Sequence, residues 1–302
     1  MAAIQSVILA AALAGSTLTQ LPAQAQAQAP APSASTFEAR TAAAALARLA
    51  ERFYDEQAHF EPVTATIFGD NRFDDLLPMT LVPSVRARQF AMLHGVQEEL
   101  MHIDRSKLSA SDLVTFDLLG DEMNRRLRFE PFKEYLLPMN HMDSLPVVLA
   151  NWGSGQGSQP IATLAQYQMY LKRISALPDW IDAAIANMRQ GMREQVVLPK
   201  ALVVALLPQV KALAAATTQQ SDFYAPIRNL PTSFSAGEKA RMKGAYLQAV
   251  EGRVLPALRR LASFLENDYL PAARDTAGWG GLPNGAQWYL AAVASHTTTS
   301  MT

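Results

Sequence analysis

The chain contains no cysteine, and this absence removes several kinds of chemistry. Without thiols there are no disulfides, thiolate metal sites or cysteine nucleophiles, and we also expect no lipid anchor on cysteine. Neither sign of charge is in excess: the chain has 26 Lys and Arg and 27 Asp and Glu, for a formal net charge of −1. This balance offers no basic surface for nucleic acid or an anionic membrane, so we expect neither as a partner.

Long apolar runs are also missing. The run at residues 7–14 is too short to cross a bilayer as a helix, so we expect no stable membrane span. It precedes the small-residue site Ala23-Gln24-Ala25, which is typical of a cleavable secretory signal, although Met1 to Ser6 lacks the usual Lys or Arg. We predict a signal peptide at residues 1–25, an Ala/Gln/Pro-rich linker at 26–35 and a mature domain at 36–302, in the periplasm or secreted. A disordered Ala-rich leader is the alternative.

No segment alternates apolar and polar residues over a convincing strand length, whereas helical periodicity recurs. Residues pair as capping boxes, with Ser or Thr three positions before Asp, Gln or Glu, at three predicted helix starts. The pairs are Ser109 with Asp112, Thr163 with Gln166, and Ser235 with Glu238. We predict an all-α domain of packed antiparallel helices with long loops. The longest helix should run from residue 235 to 267 with a bend at Pro256, and residues 138–160 should form a Gly-rich loop.

Motifs for common chemistries are absent. The five histidines include no His-Glu-x-x-His pattern, and the glycines at 153–157 form neither a phosphate loop nor a nucleophile elbow. His94, Glu98 and His102 share one helix face at four-residue spacing, but their charged neighbours indicate a solvated flank. We therefore assign no catalytic residue and no metal ligand.

The last stretch is the most motif-like part of the chain. Pro283-Asn284-Gly285 predicts a turn, because Pro presets φ and Asn-Gly readily takes positive φ. An apolar, aromatic segment follows, and then His296 and a run of Thr and Ser. Ser and Thr are good helix N-caps, so residues 297–302 indicate the start of a further helix; a disordered polar tail is the other interpretation.

The pattern Leu282-Pro283-x-Gly285-x-x-x-Tyr289, followed by His296-Thr297-Thr298-Thr299, resembles the middle of the bacterial DUF885 family. The segments 254–258 and 269–274 fit the same family in order, and the resemblance spans residues 37–302. Members of that family are longer and resemble zincin-type zinc metallopeptidases, with a His-Glu-x-x-Pro-Gly-His helix in their C-terminal half. This chain lacks that motif.

The resemblance implies that the chain is the N-terminal half of an exported, zincin-like helical protein, truncated at its C-terminus. Such a fragment should not hydrolyse peptide bonds alone; zinc is expected only in a full-length relative, and peptides and the missing C-terminal half are the implied partners. The residues expected near a substrate cleft are His141, Trp152, Tyr289, His296, Thr297 and Thr298. Two alternatives stay open: a non-enzymatic exported helical domain that binds peptides or a partner, and a pseudogene product with an exposed apolar face.

Overall fold

The computed structural model of the chain describes residues 34–297, with side chains from residue 38 onward. Within this range every regular element is helical, and the one β-type pairing is an isolated bridge between Pro199 and Arg274. The predicted all-α fold of packed helices is therefore confirmed. No helix of the described range has both the length and the apolar character that crossing a membrane requires.

The helices differ widely in length, from three residues to 27. In chain order they are α1 (Ala34–Phe60), α2 (Pro62–Ile67), α3 (Pro83–Met101), α4 (Ala110–Leu127), α5 (Leu145–Gly153), α6 (Leu164–Ser175), α7 (Leu177–Glu194), α8 (Lys200–Ala215), α9 (Ala225–Arg228), α10 (Ala236–Ala249), α11 (Leu255–Phe264), α12 (Leu270–Ala272) and α13 (Gly285–Thr297).

The described chain divides into two compact units, and the first combines residues 34–54 with residues 92–127. The three helical segments of this unit each bury one apolar stripe, as their periodicity predicts. The buried residues are Leu46, Leu49, Phe53, Leu93, Val96, Leu100, Leu119 and Met123. Polar pairs join the same segments at the surface: Arg52 with Glu99 at 2.7 Å, and Gln97 with Asn124 at 3.0 Å.

The second unit combines residues 55–91 with residues 128–297 and holds the larger core. In it α11 packs against α7 and α8, α10 packs against α6, and α5 packs against α8. Two buried tyrosines place their hydroxyls on main-chain carbonyls: Tyr170 donates to Leu149 O at 2.8 Å and Tyr246 donates to Tyr167 O at 2.7 Å. Each buried phenol thus has an acceptor, which removes the main cost of burying it.

The three helix starts predicted from capping boxes are confirmed by their hydrogen bonds. Thr163 and Gln166 cap α6 reciprocally, as Ser235 and Glu238 cap α10. At α4, Ser109 Oγ accepts from Asp112 N at 3.2 Å while Asp112 Oδ2 accepts from Ser109 N at 3.3 Å. Each pair satisfies two amide groups that the first helical turn leaves without partners.

The long helix predicted from residue 235 is continuous from α10 to α12 but contains two π turns, Val250–Val254 and Leu265–Tyr269. Each π turn is followed, after one leucine, by a proline, Pro256 or Pro271. Proline donates no amide hydrogen bond, and its ring collides with the carbonyl four residues earlier, which here lies inside the π turn in both cases. The wider turn moves that carbonyl away, so the helix continues through each proline.

The most buried charge in the described residues is Arg173 of α6. Its guanidinium donates to Phe73 O at 2.6 Å, Leu76 O at 2.8 Å, and Gln159 Oε1 at 2.8 Å. Burial lowers the pKa of Arg173 to about 10, against the opposing attraction of nearby carboxylates. The side chain therefore stays charged at neutral pH and ties the turn after α2 to α6.

The prediction of a loop at residues 138–160 is wrong for residues 145–153, which form α5. Pro146 occupies the first turn of α5, where its missing amide costs nothing, and the apolar run after it buries Leu149 and Ala150 in the core. Glycines then do begin a turn: Gly155 has a φ of 85°, and a Cβ at Gly157 would overlap the ring of Trp152. The Gly-rich segment thus packs closely against the ring of Trp152.

Candidate functional site

Trp152, one of the residues expected near a cleft, lies in the core instead. It is 5% exposed, belongs to the large apolar cluster and has the guanidinium of Arg173 5.3 Å from its ring centre. A tryptophan in this position supports packing and offers no surface to a ligand. The sequence signal that misled was the neighbouring glycine run, which reflects close packing against the ring.

His141 lies in the turn before α5, with its main-chain oxygen accepting from Gln209 Nε2 of α8 at 2.9 Å. Asn140 holds this turn, because its Oδ1 accepts from the amides of Met142 and Asp143 at 2.7 Å and 3.0 Å. The ring is half-buried, and its Nδ1 is buried with no hydrogen-bond partner among the described residues. His141 therefore lies beside α8, whereas Tyr289, His296 and Thr297 belong to α13.

Helix α13 begins at the predicted turn. Asn284 has a φ of 57°, and a Cβ at Gly285 would overlap the main chain of Trp279, so both members of the Asn-Gly pair are needed for steric reasons. Trp288 points inward, stacks on Phe132 at 5.5 Å and meets Trp279 edge-on at 5.4 Å. The turn thus fixes where α13 starts and places Trp288 in an aromatic cluster with Phe132 and Trp279.

The outer face of α13 carries the remaining predicted residues. Tyr289 is 56% exposed, and His296 lies seven residues later, so the two share one side of the helix. Thr297 donates from Oγ1 to Val293 O at 2.8 Å, and His296 Nδ1 donates to Ala292 O at the same distance. Both residues therefore lie within α13. Apart from Thr297, the segment 297–302 that was expected to start a further helix lies outside the described residues. Thr298 lies outside the described residues.

A cavity of about 180 Å³ lies beside the inward side of α13. Its walls come from four separate stretches of the chain and are mostly apolar. The apolar lining includes Leu137, Leu198, Leu202, Trp279, Leu282 and Trp288. Sequence reasoning missed this cavity, although Leu282 and Trp288 belong to the stretch it singled out, because the opposite walls are distant in the sequence.

One charged side chain, Arg274, joins this apolar lining. Its guanidinium is held by main-chain carbonyls: Nε donates to Val197 O at 3.0 Å, and Nη1 donates to Gly278 O at 2.6 Å and to Thr276 O. Nη2 makes no hydrogen bond within the described residues. Arg274 is therefore a fixed cation whose Nη2 has two unused N–H groups.

The main chain of Arg274 is fixed as firmly as its side chain. Its amide donates to Leu198 O at 3.1 Å, and its carbonyl accepts from Lys200 N at 2.7 Å, which forms the bridge opposite Pro199. Tyr269 adds to this support, since its hydroxyl accepts from Leu198 N at 2.9 Å. Burial lowers the pKa of Arg274, with Tyr269 acting in the opposite direction, and burial raises the pKa of Tyr269 to about 12. At neutral pH the site therefore contains a partly desolvated cation and a neutral phenol.

A second, larger depression of about 300 Å³ lies elsewhere in the same unit, lined by Thr217, Thr218, Gln219, Glu251 and Arg259. Its lining is predominantly polar and open to solvent, and Arg259 is engaged with Ala214 O at 3.3 Å. An open polar surface gives a ligand little to bury, so the Arg274 cavity is the better candidate site despite its smaller volume.

Residues 34–297 contain no group of three or more His, Asp or Glu side chains that could hold a metal ion. His94 and Glu98 on α3 and His102 directly after it are all exposed, and His102 Nδ1 donates to Glu98 O at 2.8 Å. This agrees with their interpretation as a solvated flank. The described residues do not fit a zinc ion.

Comparison with solved structures gives a match to "the putative lipoprotein from Colwellia psychrerythraea", with a TM-score of 0.65 at 16% sequence identity. The match covers 88% of this chain and 47% of that one, so the chain spans about half the length of the solved structure. At this identity the likeness concerns the fold. No curated protein sequence matches the chain.

The model of one protein family, described as "Bacterial protein of unknown function (DUF885)", matches residues 62–302. The matched region includes the whole turn at 282–285, α13 and the Arg274 cavity. The family expected from the Leu-Pro-x-Gly pattern is thereby confirmed, and the chain belongs to the DUF885 family of bacterial proteins.

Proposed function

We propose that this chain is the peptide-holding, N-terminal part of a longer, exported DUF885 protein related to zincin-type peptidases. The observation that carries the proposal is the position of the family stretch. Leu282 and Trp288 line the Arg274 cavity while Tyr289, next in sequence, faces solvent. One short motif therefore builds an apolar cavity on one side of α13 and an aromatic, polar surface on the other.

Peptides suit such a surface for chemical reasons. They carry apolar side chains that gain free energy from burial, together with main-chain groups and termini that require polar partners. The cavity offers apolar walls with one cation, and the outer face offers the phenol of Tyr289, the imidazole of His296 and the hydroxyl of Thr297.

The hydrolytic step is assigned to a part of the longer protein that this sequence does not include. The chain matches 47% of the solved structure, and the resemblance places the zinc ligands of such proteins in a later His-Glu-x-x-Pro-Gly-His helix. Residues 34–297 contain no group of side chains that fits a zinc ion. We expect the 302-residue chain to hold peptides without cleaving them.

Export is part of the same proposal. The solved structure is described as a putative lipoprotein, and residues 1–25 have the composition of a secretory signal. We place the mature domain, residues 36–302, in the periplasm or outside the cell. Cell fractionation of the native host, with antibody against α13, tests this location; recovery only with cytoplasmic markers would contradict it.

The test of function is incubation of the signal-free chain with a defined peptide mixture, with zinc and with EDTA in parallel. Size-exclusion chromatography should show peptides co-eluting with the protein, and mass spectrometry should show no new peptide ends in either condition. Zinc-dependent products above the EDTA control would overturn the assignment of hydrolysis to another segment. Absence of any retained peptide would overturn peptide binding.

The alternative is a non-enzymatic exported domain that binds peptides by itself. The observation in its favour is that this chain combines an apolar cavity with a guanidinium fixed by main-chain carbonyls. Intact mass and zinc content of the protein from its native source separate the two. A mass well above that of the 302-residue chain, with bound zinc, supports the longer enzyme, whereas the signal-cleaved mass without zinc supports the binding domain.

A further inference from the structure

The Arg274 cavity has the size of one side chain. Its volume of about 180 Å³ lies below the ~300–1,000 Å³ of pockets that enclose a drug-sized ligand. A whole peptide does not fit into it, but one large apolar residue does. Leu137, Leu202 and Leu282 supply aliphatic walls, and Trp279, 36% exposed, stands over Trp288 at the side that solvent reaches.

The charge of the cavity selects among the residues of a peptide. Arg274 is the one ionisable residue in the lining, and its position is fixed by three carbonyl acceptors and the bridge to Pro199. Its Nη2 has two N–H groups to donate, and a hydrogen bond from a guanidinium to an ionised carboxylate oxygen is stronger than one to a neutral carbonyl. An internal residue carries no such charge on its main chain, and an N-terminal ammonium would be repelled.

We propose that this cavity binds the C-terminal residue of a peptide, with an apolar side chain inside the cavity and the terminal carboxylate on Nη2 of Arg274. The inference rests on the proposed peptide-holding function and specifies its substrate class, namely peptides that end in Leu, Met, Phe or a similar apolar residue. The two requirements are coupled, because the same ligand atom that bears the side chain bears the carboxylate. A peptide must satisfy both at once.

The first test compares two peptides that differ only at the terminus, acetyl-Gly-Gly-Leu as free acid and as amide, by titration calorimetry on the signal-free chain. We expect the acid to bind at least tenfold more tightly than the amide, and acetyl-Gly-Gly-Asp to bind no better than the amide. N-acetyl-leucine, titrated in parallel, distinguishes a free apolar acid from a peptide: the peptide should bind more tightly. Weaker binding of the peptide would overturn the assignment to peptide ends.

Variants locate the binding. Leu202→Phe fills the cavity and should weaken binding of the acid at least tenfold, whereas Val204→Phe, an exposed position two residues away on α8, should change it less than twofold. Arg274→Gln should make acid and amide equal. Because Arg274 also supports the main chain, its variant is interpreted only if its circular dichroism and melting match the wild type; the acid–amide comparison stands without it.

The outcomes separate this inference from the proposed function. Equal binding of acid and amide, or equal effects of the two Phe variants, would overturn the cavity assignment while leaving peptide binding intact. If the chain retains peptides from the mixture but does not bind acetyl-Gly-Gly-Leu, the cavity assignment is likewise overturned and peptide binding stands. Failure of both the mixture and the tripeptide would overturn the proposed function together with the inference.

Discussion

Arg173 Nη2 lies 3.9 Å from Asp74 Oδ1, and the two side chains are 0% and 1% exposed. The hydroxyl of Thr66 stands between them, accepting from Nη2 at 3.0 Å and donating to Oδ1 at 2.6 Å. Burial raises the pKa of Asp74, while Thr66 and Arg173 act to lower it. The pair is thus linked through a hydroxyl, and each charge depends on the other.

Arg173→Met should destabilise the protein by about 3–5 kcal/mol, because it leaves a buried carboxylate without its counter-charge and several carbonyls without a donor. Urea denaturation measures the change. The matched control is Arg260→Ala, which removes an exposed pair with Asp182 at 2.8 Å and should cost less than about 1 kcal/mol. Equal losses in the two variants would contradict a special role for the buried pair.

Glu122 in the first unit gives a pH prediction. Burial raises its pKa, but attraction and hydrogen bonds from Arg126 and Arg125 outweigh this, so the net pKa lies below the usual value of 4.5. A carboxyl with a depressed folded pKa stabilises the fold above its unfolded pKa and loses this contribution as pH falls through the folded one. The stabilisation should therefore be full at pH 7 and disappear on acidification below 4.5.

Glu122→Gln tests this dependence. The variant should be about 1–3 kcal/mol less stable than the wild type at pH 7, since it loses charge-assisted hydrogen bonds, and the gap should shrink as the pH is lowered. Denaturation curves at several values between pH 7 and pH 3 measure it. A gap that stays constant across this range would show that the loss arises from packing.

Gly285→Ala should destabilise the protein by about 1–3 kcal/mol, because the added Cβ overlaps the main chain of Trp279 and must displace α13 or the segment before it. Gly244→Ala is the matched control: it lies inside α10 with nothing within 4 Å of the added carbon, and should stabilise by about 0.5–1 kcal/mol. Opposite signs in thermal melting are expected. Equal signs would contradict the close approach.

Tyr289→Ala should leave stability within about 0.5 kcal/mol, since the side chain is 56% exposed, but should reduce peptide retention if the outer face of α13 takes part in binding. Leu247→Ala, another exposed apolar residue, on α10, is the control and should not affect retention. Unchanged retention in Tyr289→Ala would restrict binding to the inner, Arg274 side of the helix.

Local patterns predicted local structure well. Capping pairs such as Ser235 with Glu238 act within one turn, so the sequence contains both partners, and the helix starts follow directly. The secondary-structure predictions failed where contacts between residues distant in the sequence determine the conformation. The glycines after Trp152 indicate a flexible loop by composition, but the structure uses Gly157 to cover the ring closely. Thr297 is of a residue type that favours the N-cap, but it lies within α13, whose start is set by Asn284.

The candidate site was accessible from the sequence only in part. The stretch containing Leu282, Trp288 and Tyr289 was found, because its turn chemistry and family resemblance are both local. Arg274 ends the segment 269–274 of that resemblance, but nothing in the sequence shows that Val197 and Leu198 lie against it. The cavity depends on this pairing of distant residues, so its shape and charge could not be predicted from the sequence.

The two π turns set the phase of the long helix. Its inward residues follow one another at four-residue steps with a single step of three: Met242, Tyr246, Val250, Val254, Leu258, Leu261, Leu265 and Tyr269. In a pure α-helix each four-residue step would advance about 40° beyond a full turn, so the stripe would wind around the axis. Each π turn absorbs an extra residue and returns the stripe to the same side. Loss of one residue from either turn would therefore keep the helix but rotate everything after it by about 100°, carrying Arg274 away from Pro199.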